Sequence, residues 1–173
     1  MKPVLSSHRL VLRSIVHSDV DDLFEIYGNE QVMEFASDPV FTSIEMVHQM
    51  LESVARLEAT EESFEWAIVE KASNKVIGTC GLHSFNQARS ECEVGCLLHP
   101  AYWNKGFMSE ALPLLFEHAE TMGIQQLRAD IDQHNVRSQR LFRKLGFKAY
   151  QSCYVLGFSK EVASFPHTRN NAT

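Results

Sequence analysis

Apolar residues in the first sixty positions recur at the spacing of one strand followed by helices. Leu10 and Leu12 alternate with polar neighbours in residues 9–14, which predicts a first strand. Two helices follow, and each opens on a capping-box pattern, Ser18 with Asp21 and Thr42 with Glu45. The apolar faces of these helices are Val20, Leu23, Phe24 and Tyr27 in the first, and Val47, Leu51, Val54 and Leu57 in the second. Gly28 is expected to end the first helix in a left-handed C-cap, and residues 30–35 to form a short helical turn.

Beyond residue 60 the pattern changes to short apolar runs separated by turn residues, as is typical of strands. The predicted strands are residues 64–71, 75–82, 91–98, 127–132, 150–155 and 161–165. The first two form a hairpin around Ala72, Ser73 and Asn74. Two helices lie among these strands: one opens at the turn before Phe107 and stops at Gly123, and the other covers residues 136–145 and closes at Gly146. The polar tail, residues 166–173, is expected to be disordered.

The resulting order, β-α-α-β-β-β-α-β-α-β-β, predicts an α/β (α+β) fold with a mixed sheet and helices on both faces. We expect one domain spanning residues 1–173, because the predicted elements follow one another with short gaps. Two crossovers around the strand at Leu127 are predicted to run between parallel strands. In such sheets ligands bind beyond the carboxyl ends of strands where neighbours diverge. The turn before Phe107 therefore lies at the mouth of a predicted cleft.

Composition narrows the class of protein. The chain is 45% hydrophobic and 22% charged with a net charge of −6, which is typical of a globular protein and argues against binding to nucleic acid. No apolar run is long enough to span a membrane and no export signal is visible, so we expect a cytoplasmic protein. The four cysteines include no C-x-x-C pair, and we expect them to be reduced and no metal to be bound. The acidic balance is weakly favourable to a cationic substrate.

The glycine turn before the long helix raises a question of hydrogen bonding. Asn104, Lys105 and Gly106 lead directly into the helix, and the first amides of a helix have no partner within it. Gly106 is read either as an ordinary turn glycine or as part of an anion site, because such amides favour phosphate. Neither G-x-x-x-x-G-K-[ST] nor G-x-G-x-x-G occurs in the chain.

Two segments together resemble the signatures of a known enzyme superfamily. LLHPAYWNKGFMSEAL follows an apolar strand, and DQHNVRSQRLFRKLGF covers the later helix. They resemble the acetyl-coenzyme-A-binding signatures of the GNAT (Gcn5-related N-acetyltransferase) superfamily. The start, HRLVLRSIVHSDVDDLFEIYGNEQVMEF, is similar to that of the branch with the ribosomal-protein N-terminal acetyltransferases. The turn departs from the family pattern of Gln or Arg, two residues, Gly, one residue, then Gly or Ala, since it has Trp103, Gly106 and Met108.

The resemblance implies a fold, an activity and a set of cofactor contacts. It implies a centrally splayed GNAT sheet and an enzyme that transfers the acetyl group of acetyl-CoA to a primary amine. The residues implied to contact the cofactor are Leu97, Leu98, Asn104, Lys105, Gly106, Phe107, Met108, Ser109, Asn135, Ser138 and Phe142. The amides of residues 104–108 would hold the pyrophosphate. Arg137, Arg140, Arg143, Lys144 and Lys148 could reach the 3′-phosphate or simply form a solvated helix face.

Aminolysis of a thioester requires a neutral amine and donors for the oxyanion and the departing thiolate. Glu93 is the predicted base, with an exposed strand carboxylate as the alternative interpretation and Glu91 as a weaker substitute. Backbone amides at Leu97 and Leu98 are the implied oxyanion donors, at a bulge in the splayed strand. Phe142 stands where many relatives have a tyrosine acid, so Ser138 is predicted to hydrogen-bond the sulfur, unless its hydroxyl bonds back to a helical carbonyl. Asn135 is either a cofactor contact or a helix N-cap, and Tyr150 and Tyr154 are unplaced alternatives.

The acceptor is open to more than one interpretation. A Lys amine costs roughly 4 to 5 kcal/mol to neutralise at pH 7 but an α-amine only about 1 to 1.5 kcal/mol, which favours a protein or peptide N-terminus. A small amine such as a polyamine, amino acid or antibiotic is the alternative, as is a non-catalytic acyl-CoA-binding module. The resemblance places the acceptor groove between the N-terminal helices and the late hairpin, with Phe35, Phe41 and Trp66 as lining or core residues. A monomer or a homodimer fits the sequence.

Overall fold

Eight strands and five helices follow the predicted order closely. The computed structural model describes residues 2–158. The strands are β1 (Leu5–Ser6), β2 (Leu10–Ser14), β3 (Phe64–Glu70), β4 (Lys75–His83), β5 (Glu91–Leu98), β6 (Gln126–Ala129), β7 (Lys148–Tyr150) and β8 (Cys153–Gly157). The helices are α1 (Val20–Tyr27), α2 (Glu30–Met33), α3 (Ile44–Ala59), α4 (Phe107–Thr121) and α5 (Val136–Lys144). No helix in this described part is long and apolar enough to cross a membrane.

The strands form one mixed sheet in the order β1-β2-β3-β4-β5-β6-β8-β7. All neighbours are antiparallel except β5 and β6, which α4 joins as a parallel pair. The predicted mixed sheet is confirmed, but the second predicted parallel crossover is wrong. After α5 the chain forms the β7–β8 hairpin, so the strand that reaches β6 is β8, running antiparallel.

Two apolar clusters lie on opposite faces of the sheet, as alternation along the strands requires. Trp66 and Ile68 of β3 belong to one cluster with the buried face of α4, and Ala67 and Val69 belong to the other with α1 and α3. The predicted helices on both faces are therefore confirmed. Trp66 is fully buried and donates from Nε1 to the carbonyl of Pro3 (3.0 Å), so it is a core residue.

Several predicted boundaries are wrong for local reasons. The predicted strand 150–155 is interrupted by a turn in which Gln151 has a φ of 51°, and β1 is too short to leave a periodic signal. The predicted strand 161–165 and the tail 166–173 lie outside the described residues. Gly28 is not a left-handed cap, since its φ is −83°.

Neither predicted capping box forms. The Asp19 carboxylate instead accepts from the Val16 amide (2.9 Å) and from both terminal nitrogens of Arg13 (2.7 and 2.8 Å) at the entry to α1. Ser43 is the N-cap residue of α3, and its side chain makes no cap hydrogen bond. The entry to α1 therefore depends on Asp19, Val16 and Arg13 rather than on the predicted box.

A charged tether joins the N-terminal segment to the start of α4. The Glu110 carboxylate accepts from the Ser7 hydroxyl (2.7 Å), the Arg9 amide (2.7 Å) and the Arg9 guanidinium (2.6 Å). The same guanidinium donates to the Lys105 carbonyl (3.0 Å) and lies over the Phe107 ring at 4.2 Å. Desolvation raises the pKa of Glu110, but these hydrogen bonds outweigh it and lower the pKa to about 2. The Arg9 side chain, which is distant in sequence, therefore fixes the position of the turn before α4.

Glu110→Gln should lower the free energy of unfolding at pH 7 by about 1 to 2 kcal/mol, because the variant loses a charge-assisted network. The folded-state pKa lies below the ordinary value of 4.5, so this stabilisation is complete above that value and declines as the pH falls towards 2. Urea unfolding at pH 7 and pH 3 measures the effect. Glu117→Gln, at an exposed position of α4, is the control and should leave the free energy of unfolding unchanged at both pH values. A wild type and Glu110→Gln variant of equal stability at pH 7 would contradict this account.

Candidate active site

A cleft opens where β5 and β6 separate. The two strands pair only at Glu91 with Gln126, Cys92 with Leu127 and Glu93 with Arg128, and β5 then continues to Leu98 while β6 ends at Ala129. The cleft beside this gap has a volume of about 1390 Å³. Its walls come from the second half of β5, the turn before α4, the start of α5, and the α2–α3 region. The predicted splay is thus a loss of pairing between two neighbouring strands.

The register of β5 against β4 determines which of its amides face the gap. The pairing runs without a shift from Gly78–Leu98 to His83–Glu93, and the His99 amide continues it by donating to the Ile77 carbonyl (2.8 Å). Alternate residues of an antiparallel ladder bond the same neighbour. Leu97 therefore bonds β4, whereas Cys96 and Leu98 direct their amides into the gap. The expected bulge in β5 is absent. The amides that face the gap are therefore those of Cys96 and Leu98, and not those of Leu97 and Leu98 as predicted.

The turn before α4 presents a row of amides without protein partners. Asn104 and Gly106 both have left-handed backbone conformations, with φ values of 60° and 78°. Within residues 2–158 none of the amides of Asn104, Lys105, Gly106, Phe107, Met108 and Ser109 donates a hydrogen bond, and the Glu110 amide is the first to bond, to the Gly106 carbonyl (3.1 Å). Successive amides in such turns form anion-binding concavities, and the positive end of α4 adds to the field. The Phe107 and Met108 side chains are buried, so what the turn offers from them is backbone.

Trp103 stands where the family pattern has Gln or Arg, and it links three parts of the cleft. Its Nε1 donates to the Leu98 carbonyl (2.7 Å), which faces the gap. The Arg137 guanidinium from the first turn of α5 stacks over the indole ring at 3.3 Å. The indole thus ties β5, the turn and α5 together, a role that Gln or Arg could fill only in part.

The start of α5 brings the second predicted group of residues to the cleft. The Asn135 side chain accepts from the Ser138 amide (3.2 Å), so its carbonyl oxygen is an N-cap. The Ser138 hydroxyl lines the cleft and makes no hydrogen bond within the described residues. Phe142 also lines the cleft, but its ring is 3% exposed and packs edge-on against Phe147. Ser138 is therefore the hydroxyl of α5 that points to the gap.

The predicted basic cluster divides into two groups. Arg137, Arg140 and Lys144 line the cleft. Arg143 donates to the Tyr154 hydroxyl (2.9 Å), and Lys148 lies on β7. Tyr150 and Tyr154 do not line the cleft, and neither does any residue of the described β7–β8 hairpin. The expected contribution of that hairpin to the groove is not seen.

Glu93 lies at the point where β5 and β6 part, and its side chain lines the cleft. It pairs with His83 on the neighbouring strand β4. The Nε2 atom of His83 lies 3.0 Å from the position that a Cβ on Gly95 would occupy. Glu91 does not line the cleft. The acceptor side of the cleft also includes Phe35 and Phe41, both predicted as candidate lining residues.

A second carboxylate, Glu65, lines the same cleft and was not singled out from the sequence. A Cβ placed on Gly81 would lie 1.9 Å from Glu65 Oε2, so the carboxylate lies directly over this glycine. The neighbouring Thr79 hydroxyl is 3.0 Å from the Tyr27 hydroxyl. Burial raises the pKa of Glu65 to about 7, although a hydrogen bond from Thr79 and the charge of Lys2 oppose the rise. The predicted hairpin around Ser73 places residues 65 and 81 opposite each other, and this pairing was the signal that could have identified the position.

Comparisons with known proteins agree with this geometry. Residues 9–148 match the family model described as "Acetyltransferase (GNAT) domain". The chain is 29% identical over 149 residues to the uncharacterized N-acetyltransferase YoaA of Bacillus subtilis, covering 86% of this chain and 84% of that protein. It is 20% identical over 143 residues to spermidine N(1)-acetyltransferase of Escherichia coli K12, covering 82% and 74%.

Solved structures share the fold at lower sequence identity. RimL, a ribosomal L7/L12 alpha-N-protein acetyltransferase in complex with coenzyme A, superposes with a TM-score of 0.78 at 18% identity, covering 90% of this chain and 98% of that chain. The mixed, splayed sheet of this chain, with helices on both faces, therefore has the GNAT fold. Since the family model spans most of its length, the chain belongs to the GNAT acetyltransferase family and is an N-acetyltransferase.

Proposed function

We propose that this enzyme transfers the acetyl group of acetyl-CoA to the α-amine of a protein or peptide N-terminus. The observation that carries the cofactor assignment is the row of unpartnered amides from Asn104 to Ser109 beside the gap between β5 and β6. Both features lie in one cleft, so a diphosphate on the turn would direct the rest of the cofactor along β5. The geometry supports a ternary complex, because the cleft continues past Glu93 to the α2–α3 region.

The residues that would hold acetyl-CoA are distributed along the cofactor half of the cleft. Backbone amides of residues 104–109 would bind the diphosphate, with Arg137, Arg140 and Lys144 nearby as cations. The gap-facing amides of Cys96 and Leu98 would bind the pantetheine and acyl carbonyls. Asn135, Ser138 and Phe142 would line the thioester end, where the unpaired Ser138 hydroxyl is available to the sulfur.

The chemical step uses the groups nearest the end of the β5–β6 pairing. Glu93, directly or through a water, accepts a proton from the acceptor ammonium. The neutral nitrogen then attacks the thioester carbonyl, the C–N bond forms and the C–S bond breaks. The thiolate leaves towards Ser138, while amides of β5 stabilise the oxyanion. The second proton lost by nitrogen neutralises the thiolate through solvent or Ser138.

An α-amine fits this site because its neutral form costs little free energy at pH 7. A small-molecule amine is the second candidate, and the similarity to a spermidine N(1)-acetyltransferase favours it. Incubation with acetyl-CoA, short peptides, lysine side-chain analogues and polyamines, followed by mass spectrometry of the products, separates these acceptors. Acetyl-CoA binding without any acetylated product would instead indicate a non-catalytic acyl-CoA-binding module.

Glu93→Gln should lower kcat by about a hundredfold or more at pH 7, because general-base assistance is lost. The dissociation constant of acetyl-CoA should not change, since Glu93 lies outside the predicted cofactor contacts. Steady-state kinetics and calorimetric titration measure the two quantities. Glu52→Gln, at an exposed position of α3, is the control and should match the wild type in both. Unchanged kcat in Glu93→Gln would remove this residue from the mechanism.

Gly106→Ala should weaken acetyl-CoA binding by about tenfold, because a side chain at a φ of 78° strains the turn and shifts its amides. Gly123→Ala is a matched control: Gly123 has a φ of 85° and open space around its Cβ position, but lies at the far end of α4. Both variants should lose about 1 kcal/mol of stability. Calorimetry with acetyl-CoA and thermal unfolding distinguish the effects. Equal losses of affinity in both variants would show that the turn has no special role.

A further inference from the structure

The charges in the cleft are divided between its two halves. Among the described lining residues, the arginine and lysine side chains are Arg137, Arg140 and Lys144, all on α5 in the cofactor half. The carboxylates Asp38, Glu65 and Glu93 line the acceptor half, and two more, Asp130 and Asp132, line the cleft between β6 and α5. A cofactor with phosphates matches the first half, so the complementary ligand of the second half is a cation.

Glu65 lies on a strand of the sheet, as Glu93 does. Its neighbours across the sheet are Gly81 on β4 and Gly95 on β5, and neither has a side chain to cover the carboxylate. The carboxylate extends over Gly81 in the direction of Gly95, with Oε2 at the place where a side chain would begin. Gly81 thus leaves room for the carboxylate on β4, while the His83 imidazole lies over Gly95 on the strand that carries Glu93.

The Glu65 carboxylate has no ion-pair partner within residues 2–158. The positive charge of Lys2 acts on the pKa of the Glu65 carboxylate. Its ammonium, however, is bound to Glu58 and to the backbone carbonyl of Glu65. Thr79, hydrogen-bonded to Tyr27, is the neutral group that faces the carboxylate. Burial disfavours its ionised form, as the raised pKa of Glu65 shows. A cationic ligand would offset that unfavourable desolvation.

The spacing of the two carboxylates defines the ligand. Glu65 and Glu93 are two strands apart and two residues out of register, which separates their backbone positions by roughly 12 Å. Both residues line the same cleft. A molecule with two cationic groups a few bonds apart can present one group to each carboxylate.

We propose that Glu65 is a specificity-determining residue that binds a second cationic group of the acceptor while the reacting amine lies at Glu93. This assignment rests on the proposed acetyl transfer and narrows its acceptor to one with an ammonium or guanidinium close to the reacting amine. Two sources share that chemistry: a peptide with a basic residue after its N-terminal residue, and an aliphatic diamine. Thr79 and Tyr27 act as positioning residues that hold the carboxylate over Gly81.

Matched acceptors and one substitution test the proposal. The peptides Ala-Lys-Ala and Ala-Gln-Ala form one pair, and putrescine and butylamine form the other, with acetyl-CoA as the donor. Wild-type kcat/KM should favour the dicationic member of at least one pair by about tenfold to a hundredfold, as expected for one charged contact. The pair that shows the preference identifies the source.

Glu65→Gln should remove this preference by raising KM for the dicationic acceptor, with little change in kcat and none in the affinity for acetyl-CoA. Glu52→Gln is the charge-matched control and should retain the preference. Calorimetric titration with acetyl-CoA verifies that Glu65→Gln is folded. If that variant does not fold, the wild-type preference decides the matter, together with its loss on raising the salt concentration.

The possible failures are distinct. If the wild type acetylates none of these amines or further peptides, the proposed function fails and this assignment fails with it. If it acetylates both members of each pair equally well, acetyl transfer stands and the assignment to Glu65 is wrong. A preference for the dicationic acceptor that persists in Glu65→Gln also overturns it.

Discussion

The separation of β5 from β6 after Glu93 and Arg128 is the constraint on which the cleft depends. A strand in the middle of a sheet needs partners for its polar groups on both sides, and β5 loses one of its two neighbours for the rest of its length. The Leu98 carbonyl recovers a partner in the Trp103 indole, but within residues 2–158 the gap-facing amides of Cys96 and Leu98 do not. The amides proposed to bind acetyl-CoA along β5 are therefore a consequence of incomplete strand pairing.

The turn before α4 shows the same principle at a helix end. Its amides can stay available only if the turn is held in place by other contacts, because an unsupported turn would bond to itself or to solvent in many arrangements. Arg9 and Glu110 supply that support from the N-terminal segment, and Trp103 with Arg137 supplies it from α5. The turn is thus held in place by side chains from the N-terminal segment and from the start of α5.

Much of the fold could be predicted from the sequence, because long apolar periodicities determine it. The helices α1, α3, α4 and α5 and the strands β2 to β6 were predicted within a few residues of their positions. The short helix α2 was also expected, as a helical turn at residues 30–35. Two other short features were missed: β1 has two residues, and the turn of the last hairpin contains Gln151 at a positive φ where no glycine marks it. Neither predicted capping box forms: near α1 the Asp19 carboxylate binds Val16 and Arg13 instead, and at α3 the N-cap residue Ser43 makes no side-chain cap hydrogen bond.

The site was predictable where it depends on backbone and less so where it depends on register. The turn at Gly106 followed from one glycine before an amphipathic helix. Whether the amide of Leu97 or that of Cys96 faces the gap could not be predicted, because it depends on which residues of β5 hydrogen-bond to β4. Glu65 belongs to an intermediate case, since its pairing with Gly81 was implicit in the hairpin, but its approach to the cleft required the side chain itself.

The contact between Trp103 and Arg137 has an optical consequence. The chain contains two tryptophans, and the other, Trp66, is fully enclosed in the core far from solvent. Any ligand that settles on the turn and draws Arg137 away from the indole would alter the emission of Trp103 while that of Trp66 stays constant. The protein therefore carries an intrinsic fluorophore beside the turn, which would report the binding of acetyl-CoA without a label if that ligand displaces Arg137.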